Sequence, residues 1–96
     1  MQDIDNFIAQ NKVAVISKSY CPYCKMAKNA LKSVNADFQV LEIENDPNMD
    51  KIQDYMKKKT GGRSVPRVFV DGKFIGGGSE TQEMAKNGKL KALLAW

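Results

Sequence analysis

Two cysteines lie close together in a segment that is rich in lysine. The segment KSYCPYCK, from Lys18 to Lys25, contains Cys21 and Cys24, and these are the only cysteines among the 96 residues. A disulfide between them would close almost no loop and would remove little entropy from the unfolded chain. A zinc site normally needs four nitrogen or sulfur ligands, and the sequence has no histidine. The pair is therefore interpreted as redox-active, although a metal site shared between subunits or completed by a ligand stays open.

The position of the pair favours an ionised sulfur on Cys21. An apolar run that is typical of a buried strand, Val13–Ser17, precedes the motif, and a helical pattern follows it. Cys21 should then lie against the free N–H groups at the start of a helix, where Lys18 and Lys25 add positive charge. Cys24 should lie one turn inside the helix, less exposed and suited to attack a mixed disulfide on Cys21. We therefore predict that Cys21 is the nucleophile and Cys24 the resolving thiol.

The charge of the chain is unevenly distributed. The net charge is +4, and residues 6–36 contain five lysines and no acidic residue, whereas residues 37–56 contain six acidic residues and one lysine. A positive field around the cysteines favours a thiolate and small anionic substrates. The sequence shows no arginine-rich helix and no aromatic stacking platform, so nucleic acid is not expected as a partner. It also lacks the apolar run of about 18 residues that a membrane span needs, so no membrane association is expected.

The length of the chain fits one domain, residues 1–96, with a single core. The first twelve residues, MQDIDNFIAQNK, contain two aspartates and no long apolar stretch, so they resemble neither a secretory signal nor an arginine-rich transit peptide. A cytoplasmic location is therefore expected. Structural disulfides are rare there, so a pair of cysteines is more often catalytic or metal-binding.

Hydrophobic spacing predicts alternating helices and strands in the first half of the chain. A helix is expected over Asp3–Gln10 and another over Cys24–Val34, with Pro22 in its first turn. Strands are expected at Val13–Ser17 and Phe38–Ile43, because both runs are rich in β-branched or aromatic residues. The cysteine motif then follows the carboxyl end of a strand, where open α/β sheets carry their sites.

The second half predicts a helix, a hairpin and two further helices. The helix is expected to have Asp46 as N-cap and Pro47 at its first position, and to stop at Gly61. The pair Asp71-Gly72 joins two β-prone runs and is the pair that a type I′ hairpin requires. The other expected elements are strands at Arg67–Val70 and Lys73–Ile75, a helix with a capping box at Ser79 and Gln82 that ends at Gly88, and a last helix at Lys89–Leu94.

These motifs together resemble one known family. CPYC after a buried strand, then SVP (Ser64–Pro66), GG (Gly76-Gly77) and a capped helix are similar to the dithiol glutaredoxins, and the match runs over essentially the whole chain. The resemblance implies an α/β thioredoxin-like fold, with a central four-stranded mixed sheet flanked by helices in the order α-β-α-β-α-β-β-α-α. It also implies a glutathione-dependent thiol-disulfide oxidoreductase, with glutathione as co-substrate and no metal.

The resemblance assigns roles to residues outside the cysteine pair. Pro66 is expected to be a cis proline that faces the cysteines, and the backbone of Val65 is expected to pair with the cysteinyl part of glutathione, like an added strand. Lys18, Gln53 and Arg63 match positions that hold the glycine carboxylate of glutathione in similar proteins, and a cation is a natural partner for a carboxylate.

The other end of glutathione is expected at the start of a later helix. Gly77, Ser79 and Glu80 match the segment that binds the γ-glutamyl group, and free N–H groups at a helix N-terminus suit its carboxylate. Glu80 stands where the family leads us to expect an aspartate, so the carboxylate is displaced by one methylene. Tyr23 matches the motif tyrosine that lies beside the bound peptide.

The implied reaction uses the two thiols differently. Cys21 alone suffices to remove glutathione from glutathionylated proteins, whereas reduction of protein disulfides also needs Cys24. A monomer is expected. The alternative is a dimer that shares an iron–sulfur cluster through Cys21 of each chain and two glutathiones; a proline such as Pro22 after the first cysteine is more typical of the enzymatic members.

Overall fold

The computed structural model describes residues 1–95, with helices and strands in the predicted order. The elements are α1 (Gln2–Gln10), β1 (Val13–Ser17), α2 (Pro22–Ser33), β2 (Gln39–Glu42), α3 (Met49–Thr60), β3 (Arg67–Val70), β4 (Lys73–Gly76), α4 (Gly78–Lys86) and α5 (Lys89–Leu93). The strands form one sheet in the order β2-β1-β3-β4, with β1 and β2 parallel and the other pairs antiparallel. The four-stranded mixed sheet that the resemblance implied is therefore confirmed.

Strand β1 is buried on both faces, as its run of apolar residues from Val13 to Ile16 predicted. Ala14 and Ile16 face a cluster formed with α1, α3 and β3, whereas Val13 and Val15 face a second cluster formed with α2, α5 and β3. This alternation follows from the two-residue period of a strand. Burial of each large apolar side chain contributes about 1.5–3 kcal/mol, so the two clusters fix β1 in the centre of the molecule. The residues that follow Ser17 are thereby held at one edge of the sheet.

The hairpin between β3 and β4 has the predicted turn. Asp71 and Gly72 have φ angles of 52° and 80°, and positive values at both central positions define a type I′ turn. Gly61 ends α3 with φ of 87°, and its N–H donates to the carbonyl of Lys57 at 2.8 Å. The two glycines therefore lie where the sequence predicted them, one in the hairpin turn and one at the end of α3.

Two predicted helix starts are wrong. Helix α3 begins at Met49 rather than at Pro47, because Asp46 forms a turn ahead of the helix: its Oδ1 accepts the N–H of Asn48 at 2.7 Å and its carbonyl accepts the N–H of Met49 at 3.0 Å. Asp46 is therefore not the N-cap.

The capping box of α4 also differs from the prediction. Only half of such a box forms, and not at Ser79 and Gln82: the Glu80 side chain accepts the N–H of Gly77 at 2.9 Å, and Gly77 has no side chain to return a bond, because the helix already begins at Gly78. Ser79 thus lies inside the first turn. In residues 1–95, no helix is both long and apolar enough to cross a membrane.

Candidate active site

Cys21 lies at the start of α2. It is the N-cap residue of the helix, with extended backbone angles, and its carbonyl accepts the N–H of Lys25 at 3.1 Å. Its thiol is partly exposed and donates a hydrogen bond to the carbonyl of Val65 at 3.8 Å. The first N–H groups of a helix lack partners within the helix, so they attract a negative charge at this place. The helix thus supplies the electrostatic setting that a reactive thiolate needs.

Cys24 lies one turn further along α2 and is fully buried. Its sulfur accepts the backbone N–H of Lys18 at 3.4 Å. Burial is the main cause that raises the pKa of the Cys24 thiol, while hydrogen bonds from the Ser17 hydroxyl and from the Lys18 backbone act in the opposite direction. Neither cysteine is in a disulfide. The motif therefore holds one partly exposed and one buried thiol, side by side, as the sequence predicted.

The loop before β3 faces the cysteines. The peptide bond between Val65 and Pro66 is cis, as the resemblance implied, and Pro66 is buried. Val65 presents its carbonyl to Cys21 through the contact described above. A free stretch of backbone beside a reactive sulfur offers hydrogen-bonding groups to a peptide-like ligand.

A groove of about 360 Å³ opens beside this loop. The predicted residues Tyr23, Val65, Pro66, Gly77, Ser79 and Glu80 all line it, together with Ser64, Arg67 and Gly78. Two helices meet here closely, because a Cβ atom on Gly78 would lie only 2.4 Å from the carbonyl oxygen of Tyr23. The structure therefore brings six of the predicted binding residues into one groove.

Glu80 carries out a structural task at the edge of this groove. Its Oε1 accepts the N–H of Gly77 at 2.9 Å, and its Oε2 accepts the hydroxyl of Ser79 at 2.5 Å. The Ser79 hydroxyl is the main cause that lowers the pKa of the Glu80 carboxyl, followed by the Gly77 N–H. One of the donors at the start of α4 is thus already engaged, and the carboxylate is held in place.

The three residues expected at the glycine carboxylate do not line this groove. The side-chain amide of Gln53 is buried and donates to the carbonyl of Arg63 at 2.9 Å, which ties α3 to the loop. The guanidinium of Arg63 contacts Asp54 at 3.3 Å and Asp50 at 3.9 Å. Lys18 is partly buried just before the motif, where its backbone binds the Cys24 sulfur. Gln53 and Arg63 are therefore brought together, and Arg63 already has anionic partners.

Two residues of the site were missed in the sequence. Arg67 lines the groove, and Glu44 accepts both the N–H and the hydroxyl of Ser19 just ahead of the motif. The Ser19 hydroxyl is the main cause that lowers the pKa of Glu44. Glu44 was within reach of sequence reasoning, since the carboxyl ends of the parallel strands β1 and β2 meet at the same edge of the sheet. Nothing in the sequence showed the direction of the Arg67 side chain.

Sequence comparison finds the glutaredoxin family. The family model described as Glutaredoxin matches residues 13–75. The chain is 40% identical over 94 residues to the mitochondrial glutaredoxin-2 of Pongo abelii, covering 98% of this chain and 58% of that protein. It is 38% identical over 92 residues to glutaredoxin-1 of Rhizophagus irregularis, covering 96% of this chain and 91% of that protein. The chain thus spans about three-fifths of the length of the mitochondrial relative.

Solved structures agree with this similarity. Oxidized glutaredoxin 2 from Chlamydomonas reinhardtii has a TM-score of 0.92 at 51% identity, covering 97% of this chain and 88% of that one. A buckwheat glutaredoxin–glutathione complex has a TM-score of 0.90 at 35% identity, covering 97% of this chain and 84% of that one. The fold resemblance therefore extends over nearly all of the described residues.

Proposed function

This chain belongs to the glutaredoxin family, and from that premise we propose that it is a glutathione-dependent thiol-disulfide oxidoreductase. The observation that carries the proposal is the pairing of a partly exposed Cys21 at the start of α2 with a fully buried Cys24 one turn behind it. This arrangement gives one sulfur for attack from solvent and one for resolution from within the protein. The groove beside Val65 gives a place for the tripeptide.

The first route removes glutathione from a glutathionylated protein. The Cys21 thiolate attacks the glutathione sulfur of the mixed disulfide, the old S–S bond breaks, and the protein thiolate leaves and takes a proton from water. A second glutathione thiolate then attacks the glutathione sulfur bound to Cys21. Glutathione disulfide forms, and the electron pair of the broken bond returns to Cys21 as thiolate. Cys24 takes no part in this route.

The second route reduces a disulfide within a protein. Cys21 attacks one sulfur of the substrate and forms a mixed disulfide, while the other substrate sulfur leaves as thiolate. Cys24 then loses its proton and attacks the Cys21 sulfur, which releases the reduced substrate and leaves a Cys21–Cys24 disulfide. Two glutathiones reduce that disulfide and leave as glutathione disulfide.

We assign the ends of glutathione to the two sides of Cys21. The cysteinyl part would pair with the backbone of Val65 next to Pro66 and Tyr23, which is supported by the contact between Cys21 and Val65. The γ-glutamyl end would meet the first turn of α4 at Gly77, Ser79 and Glu80. The glycine carboxylate would meet Lys18, Gln53 and Arg63, of which Gln53 and Arg63 are joined by the bond from the Gln53 amide to the Arg63 carbonyl.

The test is a glutathione-coupled reduction assay on a small mixed disulfide and on a protein disulfide. Cys24→Ser should keep removal of glutathione and lose reduction of the protein disulfide, whereas Cys21→Ser should lose both activities. Activity retained by Cys21→Ser would remove the basis of the proposal. Ser33→Ala, at the end of α2, serves as a control for substitution within the same helix.

The proposal includes a monomeric, cytoplasmic enzyme that acts without a metal, on glutathionylated proteins and protein disulfides and not on nucleic acid or membranes. Within residues 1–95, no cluster of three or more His, Cys, Asp or Glu side chains could hold a metal ion. That finding does not address a cluster shared by two copies through Cys21. Anaerobically purified protein should therefore be colourless and elute as a monomer. A visible absorption band that elutes with a dimer would favour the cluster-bearing alternative.

A further inference from the structure

Arg67 is the first residue of β3, and its side chain folds back onto the loop that precedes the strand. Its Nε donates to the carbonyl oxygen of Ser64 at 2.6 Å, and its Nη2 donates to the Ser64 hydroxyl oxygen at 2.8 Å. A guanidinium presents its donors in a rigid plane, so two bonds to one residue fix both the position and the orientation of that residue. Arg67 therefore holds Ser64 from the side of the sheet.

The same guanidinium fills the space beside Gly62. A Cβ atom on Gly62 would lie 2.6 Å from Nη2 and 3.0 Å from Cζ of Arg67. Gly62 is not among the glycines with a positive φ, so a larger side chain there meets no strain from the backbone angle but requires the guanidinium to move. The loop thus wraps around the guanidinium from Gly62 to Ser64.

The guanidinium also has a rigid support. Its Cζ lies 5.1 Å from the ring centroid of Phe74 in β4, in a cation–π arrangement. The Phe74 ring packs against Phe69 with centroids 5.7 Å apart, and Phe69 is buried in the core. Arg67 therefore connects the loop to the hairpin β3–β4, which is a fixed part of the sheet.

The loop that Arg67 holds carries the backbone beside the nucleophile. The Val65 carbonyl accepts the Cys21 thiol, and the Arg63 carbonyl accepts the Gln53 amide. We propose that Arg67 is a positioning residue that keeps residues 62–65 in the conformation that accepts the cysteinyl part of glutathione. This inference rests on the proposed function. Arg67 acts through the loop, and no contact between Arg67 and the reacting sulfurs is needed.

Replacement of Arg67 should raise KM more than it lowers kcat. In Arg67→Gln the loop is expected to leave the binding conformation for much of the time, and the apparent affinity falls with the fraction that remains. We expect KM for a glutathionylated peptide to rise about three- to tenfold, with kcat changed less than about twofold. Arg67→Lys should not restore KM, because an ammonium cannot make the two-pronged contact. Lys73→Gln, which removes the same charge from the exposed hairpin, is the matched control.

A double-mutant cycle with Gly62 separates the clamp from a general loss of stability. Gly62→Ala alone should raise KM, because its methyl group collides with the guanidinium. In the Arg67→Gln background that space is released, so the added methyl group should change KM by less than about 1.5-fold. If Gly62→Ala raises KM by the same factor with and without Arg67, the methyl group does not act through the guanidinium, and that part of the inference is wrong.

A measurement without turnover tests the clamp directly. Backbone amide order parameters from NMR should fall at residues 62–65 in Arg67→Gln and stay unchanged in Lys73→Gln. Unchanged order in Arg67→Gln would overturn the inference, and so would reduced order with an unchanged KM. The proposed function is judged separately by turnover of the wild-type protein. If the wild type is active and the Arg67 variants have the KM and order parameters of wild type, only the role given to Arg67 is overturned.

Discussion

At the scale of single residues, burial divides the work between two chemically identical thiols. Cys21 is partly exposed at a helix start, whereas Cys24 is enclosed and its pKa is raised mainly by that enclosure. A thiol must lose its proton before it attacks, so the raised pKa keeps Cys24 largely protonated near neutral pH. In the proposed reaction the more exposed thiol, that of Cys21, therefore meets the disulfide first.

This difference predicts a pH dependence of the resolving step. Once Cys21 carries glutathione, the rate of internal disulfide formation by Cys24 should rise about tenfold per pH unit until the pH reaches the raised pKa of Cys24. The rate can be followed by rapid acid quench and mass spectrometry of the Cys21–glutathione adduct. Cys24→Ser provides the baseline for loss of the adduct by hydrolysis or exchange. A rate that is flat from neutral to alkaline pH would contradict the assignment.

The contact between Arg63 and Asp54 predicts that removing the Asp54 carboxylate raises the affinity for glutathionylated substrate. Asp54 contacts the Arg63 guanidinium through Nε at 3.4 Å and Nη2 at 3.3 Å, so a ligand carboxylate has to compete with it. Exposed ion pairs of this kind are weak, and we expect Asp54→Asn to lower KM for glutathionylated substrate by about 1.5- to threefold. Asp37→Asn is the control for a simple change in net charge. The gain should vanish in an Arg63→Gln background.

Single-residue positions were predictable where chemistry dictated them. The spacing of the cysteine pair and the helix that begins beside it predicted a partly exposed Cys21 and a buried Cys24, and the structure has both. The direction of Arg67 and the partners of Arg63 depend on contacts between segments distant in sequence. Glu80 shows the limit most clearly, because an acidic residue at that place suits both a helix cap, which the structure shows, and a ligand site, which is proposed, and spacing alone does not separate the two.

At the scale of elements, the contact between α2 and α4 shapes the groove. Gly78→Ala would place a methyl group 2.4 Å from the Tyr23 carbonyl oxygen, so the two helices would have to move apart. Overpacking of this kind costs about 1–3 kcal/mol in stability, and it should also raise KM because both helices line the groove. Denaturant titration and steady-state kinetics measure the two effects.

Gly72→Ala is the matched control for that experiment. Gly72 lies in the hairpin turn and has a φ of 80° with nothing within 4 Å of an added Cβ, so alanine there strains only the backbone. Its cost of about 1–2 kcal/mol should appear in stability and leave KM unchanged. A rise in KM for both glycine variants would show that stability, and not the helix contact, controls binding.

Helices α1 and α3 are joined by a polar contact that predicts acid sensitivity. The Tyr55 hydroxyl donates to Asp5 at 2.7 Å, and this bond is the main cause that lowers the pKa of Asp5 below 3.8. A carboxyl group whose pKa is lower in the folded than in the unfolded state stabilises the protein at pH values above its unfolded-state pKa. That contribution is lost as the pH falls through the lower, folded-state pKa. The Tyr55→Phe variant should therefore unfold at a lower denaturant concentration than wild type at neutral pH. This difference in unfolding midpoint should shrink as the pH falls below 3.8. Asp3→Asn in the same helix is the control.

Elements were most predictable where one signal dominated. The run Val13–Ser17 is apolar up to Ile16 and has strand ends as predicted, and Asp71-Gly72 admits few turns other than type I′. The start of α3 was less certain because Asp46, Pro47 and Asn48 all suit both a cap and a turn. The cap of α4 shifted because Gly78 packs against α2, a contact that local sequence does not contain.

At the scale of the whole molecule, the uneven charge predicts a salt effect on Cys21. The motif lies within the positive segment, residues 6–36, and the whole chain has a net charge of +4. Anionic reagents should be steered towards it, and salt should screen that attraction. The ratio of the alkylation rates with iodoacetate and iodoacetamide should fall about two- to fivefold between roughly 0.02 and 0.5 M salt. The neutral reagent is its own control, and a ratio independent of salt would contradict the steering.

The register of the sheet places the hairpin turn far from the thiols. Val70 pairs with Val13 at the beginning of β1, whereas Cys21 follows the other end of that strand at Ser17. Asp71 and Gly72 are exposed, and exposed tips of this kind tolerate insertions. A fluorescent protein spliced between these two residues should leave the sulfur chemistry intact. The fold therefore offers a ready attachment point for building a sensor of the cellular glutathione pool.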